Sequence, residues 1–252
     1  ARFGDLAEQV ALVEGLGYAS VWLPEISGRD ALVTLGALAG RTERIRLATG
    51  LVPLPSRPLA ALTMAAAAVA ELAPGRFTLG LGAGHRETAA HYGWARPARV
   101  TELEQAVVAI RRALRDGHLS GAGPAGPVDL ALQGVHVEVL PEFVVGALRP
   151  RMAGMAGRVA DGILLNWVTV ERARTVVSAA RAAEAQAEAG HRALRVSCYV
   201  PVCVTEDPAE QEEARAVVAH QLGSYTRLRA YGDLLVEDGY ADEVAAVRAA
   251  SA

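Results

Sequence analysis

The sequence contains no lysine, because all 25 of its basic residues are arginine. A Schiff-base lysine and the lysine of a phosphate-binding P-loop are therefore excluded from its chemistry. Charges of one sign do not gather in blocks, and the net charge is only −3. The composition therefore predicts neither a nucleic acid nor an acidic membrane surface as a partner.

Cysteines and long apolar runs are also scarce. Cys198 and Cys203 lie five residues apart in one predicted strand, which places them on opposite faces and about 16 Å apart. We expect neither a disulfide nor a metal site, and a reducing cytoplasm fits. The longest apolar run, Leu59 to Ala70, is mostly alanine, is interrupted by Thr63 and is too short to span a bilayer. The first residues lack the apolar core of a signal peptide.

Apolar, strand-like segments alternate with helical segments along the whole chain, which predicts a parallel sheet covered on its outer face. A chain of 252 residues suits a single α/β barrel domain, 1–252. Only six of the eight strands of such a barrel are predicted, with a helix first and no final strand. We expect either a fragment of an eight-stranded barrel or a chain that lacks those elements. The predicted strands are Tyr18–Leu23, Arg44–Val52, the start of Arg76–Glu87, Phe143–Gly146, Gly162–Trp167 and Arg195–Thr205.

Helical periodicity and end signals define the segments between the strands. Thr101 is the predicted N-cap of its helix, with Glu104 completing a capping box. Gly117–Pro141 is predicted to be an irregular excursion with a short β-ribbon around Val135–Val139, and Ser224–Tyr240 to be an irregular segment containing aromatic residues. The predicted helices are Asp5–Leu16, Asp30–Ala39, Leu59–Leu72, Thr101–Arg115, Pro150–Ala160, Val170–Ala189, Pro208–Leu222 and Ala241–Ala250.

The segment Arg76–Glu87 joins an apolar strand directly to a glycine-rich turn. Its glycines, Gly80, Gly82 and Gly84, do not match the dinucleotide-binding fingerprint, because the third glycine comes one residue early and His85 stands in its place. Two interpretations remain open. The turn binds a phosphate-bearing cofactor at the carboxyl end of a buried strand, or its small residues only permit close packing.

Four sequence blocks together carry a family resemblance. The chain resembles the luciferase-like monooxygenase superfamily and, within it, the deazaflavin-dependent oxidoreductases that use coenzyme F420, such as methylenetetrahydromethanopterin reductase-like proteins. The resemblance implies a (β/α)8 TIM barrel with the cofactor across the carboxyl ends of the strands. The blocks are GLGYASVWLPE (15–25), RTERIRLATGLVPLPSRP (41–58), ELAPGRFTLGLGAG (71–84) and GALRPRMAGMAGRVADGILLN (146–166).

The resemblance also implies which residues bind the cofactor. A strand bulge beneath the deazaflavin ring, often with a non-proline cis peptide, falls at Gly50–Leu51. Two turns are similar to the family's phosphate-binding turns, with helix N–H groups and Arg149 or Arg151 supplying the anion site. The alternative is that these arginines are solvated surface residues. The implied cofactor-binding residues are Thr49, Gly50, Leu51, Gly82, Ala83, Gly84, Gly146, Ala147, Leu148, Arg149, Pro150 and Arg151.

Two residues are candidates for catalysis. Glu25 ends a strand where relatives carry an acidic residue or histidine near the ring or substrate. His85 follows the glycine turn where some relatives place a catalytic glutamate, and an imidazole there could donate a proton near neutral pH. The alternatives are a solvated loop carboxylate and a surface histidine. Ser56, Arg57 and Pro58 stand where relatives often show Thr-Arg-His-Pro, which leaves the substrate open.

The function implied is that of an F420-dependent oxidoreductase that transfers a hydride between the deazaflavin C5 and a small organic substrate. The alternatives are an FMN-dependent monooxygenase and a flavin-binding homologue without turnover. Family members usually form dimers, so a homodimer is expected. The alanine-rich helix Leu59–Leu72 would pack in the dimer interface or be an ordinary inner-layer helix.

Overall fold

The computed structural model describes residues 2–123, 126–186 and 193–250. None of the helices in these ranges is long and apolar enough to cross a membrane. The strands are β1 Ser20–Leu23, β2 Arg46–Thr49, β3 Val52–Pro53, β4 Phe77–Gly82, β5 His118–Gly123, β6 Gly126–Ala131, β7 Glu142–Gly146, β8 Gly162–Asn166 and β9 Arg195–Tyr199. The helices are α1 Phe3–Gly15, α2 Ala31–Ala39, α3 Leu59–Leu72, α4 Arg86–Ala89, α5 Val100–Asp116, α6 Pro150–Val159, α7 Val170–Glu184, α8 Pro208–Arg227, α9 Arg229–Glu237 and α10 Ala241–Ala249.

A parallel sheet with strand order β1-β2-β4-β7-β8-β9 forms the centre of the molecule, and the short β3 pairs with β4. Every residue of β4 is buried, because helices cover one face of the sheet and the other face is the interior. Burial on both faces explains why the strands are apolar throughout instead of alternating. The predicted α/β class with a parallel sheet is confirmed.

The sheet curls so strongly that its distant strands meet. In a flat sheet β2 and β9, four strand spacings apart, would lie about 19 Å from each other. Yet the Tyr199 hydroxyl donates to the Gly50 carbonyl oxygen over 3.1 Å. At the other end, Glu142 on β7 pairs with Arg46 on β2 at 2.8 Å and with Arg195 on β9 at 2.9 Å. The sheet is therefore part of a barrel wall.

The described residues form part of a (β/α)8 barrel, and the complete barrel implied by the resemblance is not seen in them. In these ranges β1 and β9 are the outer strands, and neither pairs with a further strand on its open side. The six predicted strands are present, but four of the segments are shorter than expected. The segment Arg44–Val52 is interrupted at Gly50 and Leu51, with β2 before them and β3 after them. The strand predicted over Arg195–Thr205 ends at Tyr199, shortly before Pro201, which has no N–H to donate. Cys203 thus lies beyond the strand, and both cysteines are free.

The excursion was predicted wrongly in detail. The β-ribbon lies at β5 and β6, not around Val135–Val139, where the chain has no strand. Glycines hid the alternation in which Val128 and Leu130 pack against the core while Asp129 faces solvent. Val135 and Val137 pack against the core from an irregular backbone.

Three predictions about helices were also wrong. The helix predicted from Thr101 begins at Val100, and its capping carboxylate is Glu102, which accepts from the Arg99 N–H at 2.7 Å; Glu104 instead pairs with Arg158. The predicted irregular segment Ser224–Tyr240 contains the end of α8 and all of α9, because Tyr231 and Leu234 bury one helical face that its glycines obscure. The helix from Val170 ends at Glu184, and 187–189 lie outside the described residues.

Helices α6 and α7 pack most closely at a glycine. A Cβ at Gly157 would lie 2.2 Å from the Ala180 carbonyl oxygen, whereas a Cβ at Gly154, one turn earlier, would be 4.0 Å from its nearest neighbour. The two helices could not approach so closely with a larger residue at position 157.

We therefore expect Gly157→Ala to lower the free energy of unfolding by about 1–3 kcal/mol, because backbone must move. Gly154→Ala is the matched control and should be neutral or stabilising by about 0.5–1 kcal/mol, since alanine favours helix. Urea unfolding of both variants measures the difference. Equal effects would contradict the close approach of α6 and α7.

Candidate functional site

The carboxyl ends of the strands open into one mouth, and Leu51 forms its floor. The Leu51 side chain lies on three glycines of β4 and β7: a Cβ at Gly146 would be 2.3 Å from Leu51 Cδ1, one at Gly80 2.9 Å from Cδ2, and one at Gly82 3.3 Å from Cδ1. Leu51 is itself half-buried. The bulge and the two glycine turns predicted to bind the cofactor therefore meet around one side chain.

Thr49 fixes the bulge to the neighbouring strand. Its hydroxyl donates to the Gly80 carbonyl oxygen at 2.8 Å and accepts from the Gly80 N–H at 2.7 Å. The side chain is fully buried, so Thr49 supports the site from beneath. The peptide bond between Gly50 and Leu51 is cis, as the resemblance implied.

A backbone hydrogen bond and a packing contact fix the conformation of the turn after β4. Ala98 N–H donates to the Ala83 carbonyl oxygen at 2.8 Å. Gly84 has φ +78°, which favours glycine, and a Cβ there would be 2.8 Å from the Trp94 ring. His85 follows and precedes the short helix α4.

His85 is mostly enclosed. Its Nδ1 atom is buried and has no hydrogen-bond partner among the described residues. Its ring centroid lies 5.5 Å from that of Tyr231 on α9. Burial lowers the pKa of His85 below 6.5, and the nearby Glu87 carboxylate partly opposes this shift. The imidazole is therefore neutral at pH 7, which is a better state for accepting a proton than for donating one.

The turn after β7 provides fewer ligand-binding groups than expected. Ala147 is buried, and its N–H donates to the Leu164 carbonyl oxygen at 3.2 Å. Arg149 Nη1 lies 2.7 Å from both carboxylate oxygens of Glu237. Arg151 is exposed and forms no hydrogen bond or ion pair within the described ranges. Of the two arginines, Arg151 is the one available to an anion at the start of α6.

Glu25 is committed to the protein. Its carboxylate accepts from Arg57 Nη2 at 2.6 Å, from the Ser56 hydroxyl at 3.2 Å and from the Ala31 N–H at 3.2 Å. These contacts join the end of β1 to the loop after β3 and to the start of α2. Glu25 therefore holds these three segments together and is not the solvated loop carboxylate of the alternative interpretation.

Sequence reasoning missed a cluster of aromatic rings beside His85, which consists of Trp167, Tyr225 and Tyr231 and which we call the aromatic wall. Tyr231 packs edge-on to Tyr225 at 4.9 Å, and Tyr225 contacts Trp167 at 5.7 Å. The Asn166 amide donates to the Tyr231 hydroxyl oxygen at 3.1 Å. Burial raises the pKa of both Tyr231 and Tyr199 to about 12, so both hydroxyls stay protonated. The signal was present: Asn166 and Trp167 directly follow a buried strand, and two tyrosines lie close together in a chain with only 5% aromatic residues.

Helix α9 lies across the mouth and is tied at both ends. At its start, the Arg229 N–H donates to Glu87 after β4 at 2.8 Å. At its end, Glu237 pairs with Arg149 after β7, and Asp238 binds Arg172 Nε at 2.9 Å. The helix thus forms part of the site wall.

Comparison with known proteins identifies the family. The family model for luciferase-like monooxygenases matches residues 1–251. The chain belongs to the luciferase-like monooxygenase family. It is 27% identical, over 219 residues, to a protein named 5,10-methylenetetrahydromethanopterin reductase from Methanolobus tindarius, and the match covers 84% of this chain and 65% of that relative.

Two solved structures share the fold. The coenzyme F420-dependent tetrahydromethanopterin reductase of Methanopyrus kandleri superposes with a TM-score of 0.74 at 17% identity, over 97% of this chain and 79% of that one. The FMN-bound oxygenating constituent of 3,6-diketocamphane monooxygenase from Pseudomonas putida gives 0.72 at 16% identity, over 96% and 74%. Both matches support the barrel-type fold, and the predicted family is confirmed.

Helix α9 has a partly buried ion pair just after its end and an exposed ion pair near its start, and the two can be compared. The side chains of Arg172 and Asp238 are 14% and 11% exposed, whereas those of Arg229 and Asp233 on the same helix are 73% and 41% exposed. We expect Asp238→Asn to lower the free energy of unfolding by about 1–3 kcal/mol, because Arg172 loses its main partner away from water. Asp233→Asn should cost less than about 0.5 kcal/mol. Amide hydrogen exchange should rise in α9 only in the first variant, and equal exchange in both would refute the tie.

Proposed function

We propose that this protein is an F420-dependent oxidoreductase that transfers a hydride between the deazaflavin C5 and a small organic substrate. The observation that carries the proposal is the half-buried Leu51, whose side chain lies against glycines of β4 and β7 where the turns after those strands begin. Such a flat apolar surface bordered by a few polar groups suits a planar ring. The relatives with F420-dependent or methanopterin reductase names support the same class.

The residues present fit a ring that carries an anionic chain. The buried, unpaired Nδ1 of His85 costs about 1–3 kcal/mol, which a hydrogen bond from a ligand would recover. Arg86 and Arg151, at the starts of α4 and α6, are exposed and have no carboxylate partner among the described residues. With the free N–H groups at the start of α6, they would hold the anionic part, while Leu51 supports one face of the ring.

The chain's own residues would orient, exclude water and move a proton. Leu51 and the turn Gly82 to Gly84 would hold the ring, and the tyrosines of the aromatic wall would exclude water from the site. His85, neutral at pH 7, would accept a proton from a substrate hydroxyl and return it in the reverse direction. A bound deazaflavin supplies the hydride chemistry at C5.

A second candidate is an FMN-dependent monooxygenase. The specific support is the fold similarity to the FMN-bound diketocamphane monooxygenase constituent. The same floor would accept an isoalloxazine ring, so the two candidates differ in affinity and not in the general position of the ring.

Titration of the purified chain with F420 and with FMN, followed by fluorescence quenching, separates these candidates. We expect F420 to bind at least about tenfold more tightly than FMN, equivalent to about 1.4 kcal/mol. Tighter binding of FMN would favour the monooxygenase. Binding of F420 without turnover of any hydride acceptor would favour the non-catalytic homologue, and binding of neither would refute both enzymes.

Two glycines that contact Leu51 provide a matched test of the ring position. A methyl group at Gly146 would push Leu51 Cδ1 aside, whereas one at Gly82 needs a shift of only a few tenths of an ångström. We expect Gly146→Ala to weaken cofactor binding about tenfold and Gly82→Ala less than about threefold, because only the first displaces the support of the ring. Both variants should fold, since the displaced atoms are the end of a flexible side chain. If the Gly146→Ala variant bound the cofactor as tightly as the wild type, the result would count against a ring that lies on Leu51.

A further inference from the structure

Tyr231 covers the candidate catalytic histidine although the two residues are separated by 146 positions in the sequence. It comes from α9, is 6% exposed, and lies with its ring 5.5 Å from the His85 ring at an interplanar angle of 43°. The Asn166 amide, at the end of β8, holds the Tyr231 hydroxyl at 3.1 Å. Three elements that are distant in the chain therefore meet at one imidazole.

We propose that Tyr231 is a positioning residue for His85: its ring, anchored by Asn166, shields the imidazole from water and fixes its orientation in the mouth. The proposal rests on the proposed function only in giving His85 a role in proton transfer. The shielding itself is a property of the chain without any cofactor.

The charged and titratable groups around His85 are few. Glu87 lies on α4, which begins directly after His85, and one of its oxygens accepts the Arg229 N–H from α9. Tyr231 faces the imidazole from α9, with Tyr225 from α8 behind it, and Arg86 is exposed to solvent beside it. Burial is the largest cause of the lowered His85 pKa, and the carboxylate of Glu87 acts in the opposite direction. Removal of the covering ring should therefore raise the pKa.

The hydroxyl of Tyr231 serves the anchoring and not the shielding. It accepts a hydrogen bond from Asn166, and burial raises the Tyr231 pKa to about 12, so the group does not ionise in the working range. Phenylalanine at this position would keep the ring beside His85 and lose only the anchor. Alanine would remove the ring and admit water to Nδ1.

NMR titration of the His85 imidazole in the cofactor-free chain tests the proposal. We expect wild type and Tyr231→Phe to titrate below pH 6.5, and Tyr231→Ala to titrate higher by about half a pH unit or more. Tyr240→Ala is the control, because Tyr240 directly follows α9 and is 45% exposed. A smaller shift in Tyr231→Ala, or an equal shift in Tyr231→Phe, would overturn the proposal.

If Tyr231→Ala loses its helical circular dichroism, Tyr231→Leu is judged by the same criterion, because it keeps an apolar side chain on α9 but leaves space for water.

In the active enzyme, the acidic limb of the pH–rate profile should move to higher pH by the same amount as the His85 titration. Failure of the chain to bind F420 or FMN would refute the proposed function, while the titration of the cofactor-free chain would still decide the role of Tyr231.

Discussion

The structure of the site depends on one packing contact, that of Leu51 with the glycines of β4 and β7. A side chain at Gly80 would collide with the Thr49 carbonyl oxygen at 2.0 Å, and one at Gly146 would collide with Leu51 itself. Because these positions carry no side chain, the bulge after β2 can lie flat across two neighbouring strands. The turns that follow those strands are then brought to the same mouth, where the candidate ligand groups converge.

The two ends of the curled sheet have opposite chemical characters. At the amino ends, charged groups are paired across the interior: Glu142 binds arginines from β2 and β9, and Asp161 binds Arg111 at 2.9 Å and the Phe143 N–H at 2.7 Å. At the carboxyl ends, the mouth is lined by leucine, glycine and aromatic rings with one unpaired imidazole nitrogen. The paired charges at the amino ends stabilise the fold, and the candidate ligand groups lie at the carboxyl ends, which is the usual division in barrel proteins.

The local sequence predicted the elements well wherever periodicity and packing agree. The helix Leu59–Leu72 and the strand Phe77–Gly82 have apolar residues that the fold buries, and α8 begins at Pro208 as predicted. Predictions failed where long-range contacts decide the structure. Helix α9 is helical because Tyr231 and Leu234 bury against the rest of the chain, and no local pattern shows that.

The sequence and its family resemblance brought the glycine turns together but did not indicate the contacts around them, for the same reason. Residues that follow buried parallel strands lie at one edge of the sheet, and the family resemblance implied that Gly50, Gly82 and Gly146 come together there. The contacts of the side chains near these glycines could not be predicted from the sequence. Arg149 is held by Glu237, 88 positions away, and Glu25 by Arg57, 32 positions away, and both contacts change what those side chains can bind.

The central claim is that a planar ring binds against Leu51, and methyl NMR of the leucine-labelled chain tests it most directly. With the Leu51 methyl signals assigned from a Leu51→Ile variant, addition of F420 should shift them strongly through the ring current, while the methyls of the exposed Leu72 stay in place. F420 that is bound, as shown by its own absorbance, and leaves the Leu51 methyl signals unmoved would contradict the account.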